Sequence, residues 1–171
     1  MNRRQTLHAL LAAVALPAAA QDAPPPDPAL AAVQGAWRGT LSYRDYSRPD
    51  RVVTLPTRLY IALLAPHEIA LHYVFDDGPG KTVHSYERMA FDFGAKRLTW
   101  ISGDRNNAYD ITSVQPQDGA RAVSFERQVE NSTHRYAMLL GAQRLTLGKE
   151  EGTPSAGFQF RNRFEFTRGE A

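Results

Sequence analysis

Gly35-Ala36-Trp37-Arg38-Gly39-Thr40-Leu41-Ser42-Tyr43-Arg44-Asp45-Tyr46 is the stretch whose reading decides the fold. Side chains of an extended segment point alternately to opposite faces. Trp37, Gly39, Leu41, Tyr43 and Asp45 therefore share one face, and Arg38, Thr40, Ser42, Arg44 and Tyr46 share the other. One row begins apolar and ends polar while its opposite is polar throughout, which is the pattern of a half-buried strand.

The same alternation recurs toward the C-terminus. After the turn cluster Ser47-Arg48-Pro49-Asp50, residues 52–65 read as one long strand and 68–76 as the next. Asp76-Asp77-Gly78-Pro79-Gly80 is the strongest turn. Further strands are predicted over 82–93, 97–102, 109–114, 122–130, 133–140, 143–149 and 158–168. Gly103 to Asn107 and Glu150 to Pro154 read as loops. About ten strands with short connections, and no helical period sustained over three turns, predict an all-β chain. The expected architecture is an up-and-down antiparallel barrel of about 8–10 strands, with a β-sandwich as the alternative.

Toward the N-terminus, Asn2-Arg3-Arg4 is basic, residues 7–16 are apolar with one histidine, and Ala18-Ala19-Ala20 is a small-residue cleavage pattern. Residues 1–20 read as a secretory signal cut after Ala20, too short for a membrane span. Arg3-Arg4-Gln5-Thr6-Leu7 also partly fits a twin-arginine signal, so the general secretory and twin-arginine routes both stay open, and the expected location is the periplasm or the exterior. Residues 21–32, with Pro24, Pro25, Pro26 and Pro28, read as a disordered or extended lead-in to one domain over 33–171. The absence of cysteine excludes disulfides and a lipid-anchored export signal. Losing Arg3 and Arg4 would leave 18 basic residues against 18 acidic, so neither nucleic acid nor anionic lipid is an expected partner.

Row parity nominates an interior. In Phe158-Gln159-Phe160-Arg161-Asn162-Arg163-Phe164-Glu165-Phe166, residues 158, 160, 164 and 166 form an inner row that includes Asn162. In a closed meander the first and last strands adjoin, bringing Tyr43 and Asp45 toward Asn162. The remaining rows add Tyr73, Glu87 and Arg127. The candidate ligand-binding set is thus Tyr43, Asp45, Tyr73, Glu87, Arg127 and Asn162, with Asp45 or Glu87 expected to pair with Arg127.

Several motifs carry nothing. Gly80-Lys81-Thr82 ends like a phosphate-binding loop, but Phe75 stands where its first glycine should be, and a strand follows. His67-Glu68-Ile69-Ala70-Leu71-His72 has one residue too many for the zinc-protease helix. His84 and His134 have no ligand set at recognisable spacing, so no metal is expected, and His67, His72, His84 and His134 read as surface or capping residues. No serine sits on a Gly-x-Ser-x-Gly elbow, and no catalytic residue or cofactor is assigned. Asn131-Ser132-Thr133 matches a glycosylation acceptor and is incidental in a bacterial exported chain.

The Gly-x-Trp entrance, Gly35 and Trp37, followed by an all-β chain ending in a basic residue, resembles the lipocalin-like (calycin) barrels. Tyr43-Arg44-Asp45-Tyr46, residues 76–82 and the Phe-Arg-Asn-Arg close resemble a group of exported bacterial lipocalin-like proteins without an assigned function. The resemblance implies that Trp37 plugs one barrel end and that an arginine packs over it, Arg168 first and Arg163 second. It also implies a cavity for a small apolar or amphipathic molecule. Two further readings stand beside it. One is a filled barrel that binds or inhibits an envelope protein through its loops; the other is a barrel enzyme using Asp45 or Glu87 as an acid/base pair.

Overall fold

The computed structural model describes residues 24–169. The signal segment, its cut after Ala20 and the first residues of the lead-in lie outside the described residues. A five-residue helix, α1 (Pro28–Ala32), precedes ten strands: β1 (Gly35–Arg44), β2 (Val52–Ala65), β3 (Glu68–Asp76), β4 (Thr82–Asp92), β5 (Arg97–Ser102), β6 (Arg105–Gln117), β7 (Ala120–Val129), β8 (Ser132–Leu140), β9 (Arg144–Thr153) and β10 (Gly157–Arg168). Each strand pairs antiparallel with its sequence neighbours, and β1 pairs with β10 to close the barrel. No described helix is long and apolar enough to cross a membrane.

The seam sets the register of everything else. Trp37 lies opposite Arg168, Gly39 opposite Phe166, Leu41 opposite Phe164 and Tyr43 opposite Asn162. At Gly39 the neighbouring backbone comes so close that a Cβ would stand 1.9 Å from the Glu165 carbonyl oxygen. Only glycine permits that approach. The inward row of β1 continues through Leu59 and Thr57 of β2 to Tyr73 and Phe75 of β3, and so round the wall.

One end is closed by α1 and the residues beside it. The sequence reading leaves residues 21–32 without regular structure, but the structure folds the end of this segment into α1. Asp27 caps the helix, its Oδ1 accepting from the Ala29 and Leu30 amides at 3.0 and 3.2 Å, while Pro28 supplies a preset first turn. Asp27 also pairs with Arg121 of β7, and its amide donates to the Pro66 carbonyl. Leu30 and Val33 are fully buried, so the domain begins about six residues earlier than the proline-rich composition implies. The missed signal is Asp-Pro ahead of Leu30, a helix start attached to a buried anchor.

Trp37 lies beneath this helix, 1% exposed, its indole N–H donating to the Val33 carbonyl at 2.8 Å. The Arg168 guanidinium covers the indole at 4.2 Å and donates to the carbonyls of Ala32, Gln34 and Ala142. One arginine thus ties the helix, the first strand, the last strand and the β8–β9 turn together. Arg163 faces outward instead, where it pairs with Glu165.

Trp37→Ala should cost about 3–5 kcal/mol in denaturant unfolding, and a loss under about 1 kcal/mol would contradict the plug. Gly39→Ala should prevent seam closure, seen as loss of the cooperative unfolding transition. Gly148→Ala, whose Cβ would find its nearest atom at 4.0 Å, should leave that transition in place.

Candidate functional site

The inward rows change character along the barrel axis. At the α1 end they are buried: Trp37, Leu59, Leu71, Met89, Leu98, Ile111, Val123, Met138, Leu147 and Phe166 are all 4% exposed or less. At the far end every inward row becomes half-exposed. Leu41 and Tyr43 on β1, Val53 and Leu55 on β2, Phe75 on β3, Ser85 and Glu87 on β4, and Trp100 and Ser102 on β5 all follow that pattern. So do Asn107, Arg127, His134, Tyr136, Lys149, Glu151, Asn162 and Phe164. Residues that point inward yet meet solvent line a cup open at one end, with a filled base beneath it.

Tyr73 is the floor, 2% exposed and packed against Phe75, Phe164 and Phe166 at centroid distances of 5.9, 5.0 and 6.3 Å. A second cluster, Trp100, Tyr109, Phe125 and Tyr136, fills the opposite side, with Phe125 and Tyr136 stacked at 5.0 Å. Above the floor the wall divides. Leu41, Leu55, Phe75 and Phe164 form an apolar arc on β1, β2, β3 and β10. Glu87, Ser102, Asn107, Arg127, His134, Lys149 and Glu151 form a polar arc on β4 to β9.

Within the polar arc, Glu87 accepts from the Trp100 indole N–H at 2.7 Å, the Ser85 hydroxyl at 3.1 Å and the Ser102 hydroxyl at 3.3 Å. Burial raises its carboxyl above the ordinary range, and these three donors only partly offset that. Burial also pushes the Tyr73 phenol well up, with the Glu87 charge adding to it. The expected pairing of a carboxylate with Arg127 does not form. Arg127 donates to Asn107 Oδ1, lies 5.5 Å from the Tyr109 ring centroid, and keeps its Nε buried without a partner. No ion pair among the described residues includes it. Lys149 instead holds Glu151 at 2.5 Å, and Glu151 lies 3.6 Å from His134. The Glu151 carboxyl is lowered, burial opposing a larger combined pull from Lys149, His134 and Arg161. His134 is lowered by burial and by the charges of Lys149 and Arg127, against the pull of Glu151.

Of the six nominated residues, Tyr43, Tyr73, Glu87, Arg127 and Asn162 all stand on inward rows, Tyr73 at the floor and the others above it. Asp45 does not. It follows the end of β1 and caps the rim turn, accepting from the Ser47 and Arg48 amides at 2.8 and 3.3 Å, and the Ser47 bond leads in lowering its carboxyl. It cannot meet Glu87 as an acid/base pair. A second correction concerns β10, whose register slips between Phe160 and Asn162. The bulge at Arg161 turns Phe158 and Phe160 to the outer wall, and Arg135 lies 3.7 Å over the Phe158 ring there. Phe160 lines an outer groove of about 640 Å³ with Arg135, Glu150 and Arg163. Arg161 itself bridges to the rim, donating to the Arg44 carbonyl and stacking on Tyr46.

Sequence reasoning missed Asn107, His134, Lys149 and Glu151. Asn107 and Glu151 fell in segments read as loops, which in fact extend β6 and β9 to the mouth. His134 follows from parity alone, two residues before the inward Tyr136, and was passed over for want of a ligand set.

Glu87 yields a pH-dependence with a definite sign. Its folded-state value is raised, so its contribution to stability is fully present below the ordinary 4.5 and is lost as pH rises through the raised value. Glu87→Gln should therefore gain stability relative to wild type between about pH 4 and pH 8 in urea unfolding. A gap that stays constant or narrows would contradict a buried, costly carboxylate.

No protein-family model and no curated protein matches the sequence. Among solved structures, Rv2717c from M. tuberculosis superposes with a TM-score of 0.61 at 9% identity, covering 85% of this chain and 99% of that one. The S-type phycobiliprotein lyase CpeS from Guillardia theta superposes with a TM-score of 0.56 at 9% identity, covering 83% and 91%. Both likenesses are of fold, and the closed ten-strand meander with one plugged and one open end is a lipocalin-like barrel.

Proposed function

We propose that the cup binds a small amphipathic molecule with its anionic end at Arg127 and its apolar body against Leu41, Leu55, Phe75 and Phe164. The observation that carries this reading is Arg127. Its side chain is half-buried on an inward row, makes no ion pair among the described residues, and keeps its Nε buried without a partner. A cation with no counter-charge in a partly desolvated site is satisfied by an anionic ligand group through charge-assisted hydrogen bonds. Glu151 is engaged by Lys149, and Glu87 by an indole and two hydroxyls, which leaves Arg127 without a counter-charge of its own. Tyr43 and Asn162 stand above the apolar arc, where they would hydrogen-bond the ligand near the mouth. The likeness in fold to a phycobiliprotein lyase supports small-molecule work for this architecture. The reading includes export, proposed from residues 1–20, so that the ligand is met in the periplasm or outside the cell.

A second reading has one observation in its favour. The bulge at Arg161 places Phe158 and Phe160 on the outer wall beside a groove, where a protein partner would find aromatic anchors.

Native mass spectrometry and solvent extraction of the protein from its own envelope should reveal a bound acid. In titrations with an anionic apolar dye (an anilinonaphthalene sulfonate) and a neutral one (Nile red), Arg127→Met should weaken the anion by roughly 10- to 100-fold and spare the neutral dye. Binding of neither dye, with no co-purifying small molecule, would favour the second reading.

A further inference from the structure

His134 stands on the inward row of β8, directly opposite Arg127 of β7 on one side and Glu151 of β9 on the other. Directly opposed residues of an antiparallel pair share a face, so the three side chains form one row across the wall of the cup. The His134 Nε2 is 3.6 Å from the Glu151 carboxylate, longer than a hydrogen bond, and the Lys149 ammonium holds that same oxygen at 2.5 Å. Tyr136 is the next inward residue of β8, and burial keeps its phenol neutral. The charged groups facing the ring are thus Arg127 from β7 and Lys149 and Glu151 from β9. Glu87 of β4 is the other carboxyl of the polar arc, held by Trp100, Ser85 and Ser102. Burial disfavours the imidazolium form of His134, and the Lys149 and Arg127 charges add to that, while Glu151 opposes them.

We propose that His134 is a second anion-binding group of the cup, taking up one proton when an anionic ligand reaches Arg127, so that binding tightens as pH falls. The inference rests on the reading of the cup as an anion site. An anion at Arg127 offsets the positive charge that repels an imidazolium and places an opposite charge on the same row. An opposite charge within about 4–6 Å favours the charged form of a titrating group. The proton comes from solvent and goes to the unprotonated ring nitrogen, and no bond of the ligand changes.

The sign follows from linkage. The free ring titrates below its ordinary 6.5, and the ligand moves that titration upward. Above both values the ring is neutral with or without ligand, and affinity is at its weak limit. Below both it is charged in either state, and affinity is at its tight limit. Between them affinity rises by at most about tenfold for each unit that pH falls.

The test uses anilinonaphthalene sulfonate, whose charge stays constant between about pH 5 and pH 8, with uncharged Nile red as the control. The dissociation constant of the sulfonate should fall about 5-fold or more from pH 8 to pH 5, and that of Nile red should not move. In His134→Gln the pH dependence for the sulfonate should flatten. Proton NMR reads the same event in the unaltered chain. The His134 ring signal, assigned by its absence from His134→Gln, should titrate at higher pH once the sulfonate is bound. The signals of His67 in the β2–β3 turn, and of His72 and His84, hydrogen-bonded to each other on the outer wall at 2.9 Å, should titrate as before. A pH dependence that survives in His134→Gln would place the proton on another group, Glu87 foremost, and overturn the inference. So would a His134 titration unmoved by the dye, and in either case Arg127-dependent binding would leave the anion site standing. Sulfonate binding that Arg127→Met does not weaken would overturn both.

Discussion

The close approach of β1 to β10 is the constraint on which the rest depends. Gly39 lets the Glu165 carbonyl come within a distance no side chain allows, and the two terminal strands pair along seven positions. Closure removes every sheet edge and gives each strand one inward row. It also gives the barrel two unlike ends. Trp37 and Arg168, opposite each other on that seam, anchor α1 across one of them. The other end has no such lid among the described residues, and there the inward rows meet water.

The open end concentrates groups that are costly to bury. Glu87 and Arg127 both face the interior, yet each is satisfied separately: the carboxylate by an indole and two hydroxyls, the guanidinium in part by Asn107. Kept apart, they leave one acid pushed toward its neutral form and one cation short of a partner. The result is an interior that is half apolar and half polar. A solid hydrophobic core would have been cheaper in the same space.

The fold was largely legible in the chain. Alternation in the first strand, the strong turn at Asp76 to Gly80 and the regular spacing of apolar rows are local signals, and local signals survive in a sequence. The Trp37 plug and its arginine were accessible by resemblance. The candidate site was legible only in part. Tyr43, Tyr73, Glu87, Arg127 and Asn162 follow from unbroken parity. Asp45 fails because the strand ends one residue earlier and its carboxylate serves the turn. Phe158 and Phe160 fail because one extra residue at Arg161 reverses the parity beyond it. Asn107 was hidden by a Gly103-Asp104 turn that the sequence makes look longer than it is, and Glu151 by acids and a glycine that resemble a loop but sit in β9, where its partner strand holds them extended.

The sequence by itself determined that the chain is all-β, how many strands it has, which turns separate them and which residues make the inward rows where no bulge intervenes. These depend on hydrophobic period and turn chemistry, which act over a few residues. Tertiary structure alone decided which rows surround the mouth, that Arg127 goes unpaired while Lys149 takes Glu151, that α1 caps the base, and that His72 and His84 meet on the outer wall. Those outcomes join residues from strands far apart in the chain. They are fixed by closure and register, which no short window of sequence contains.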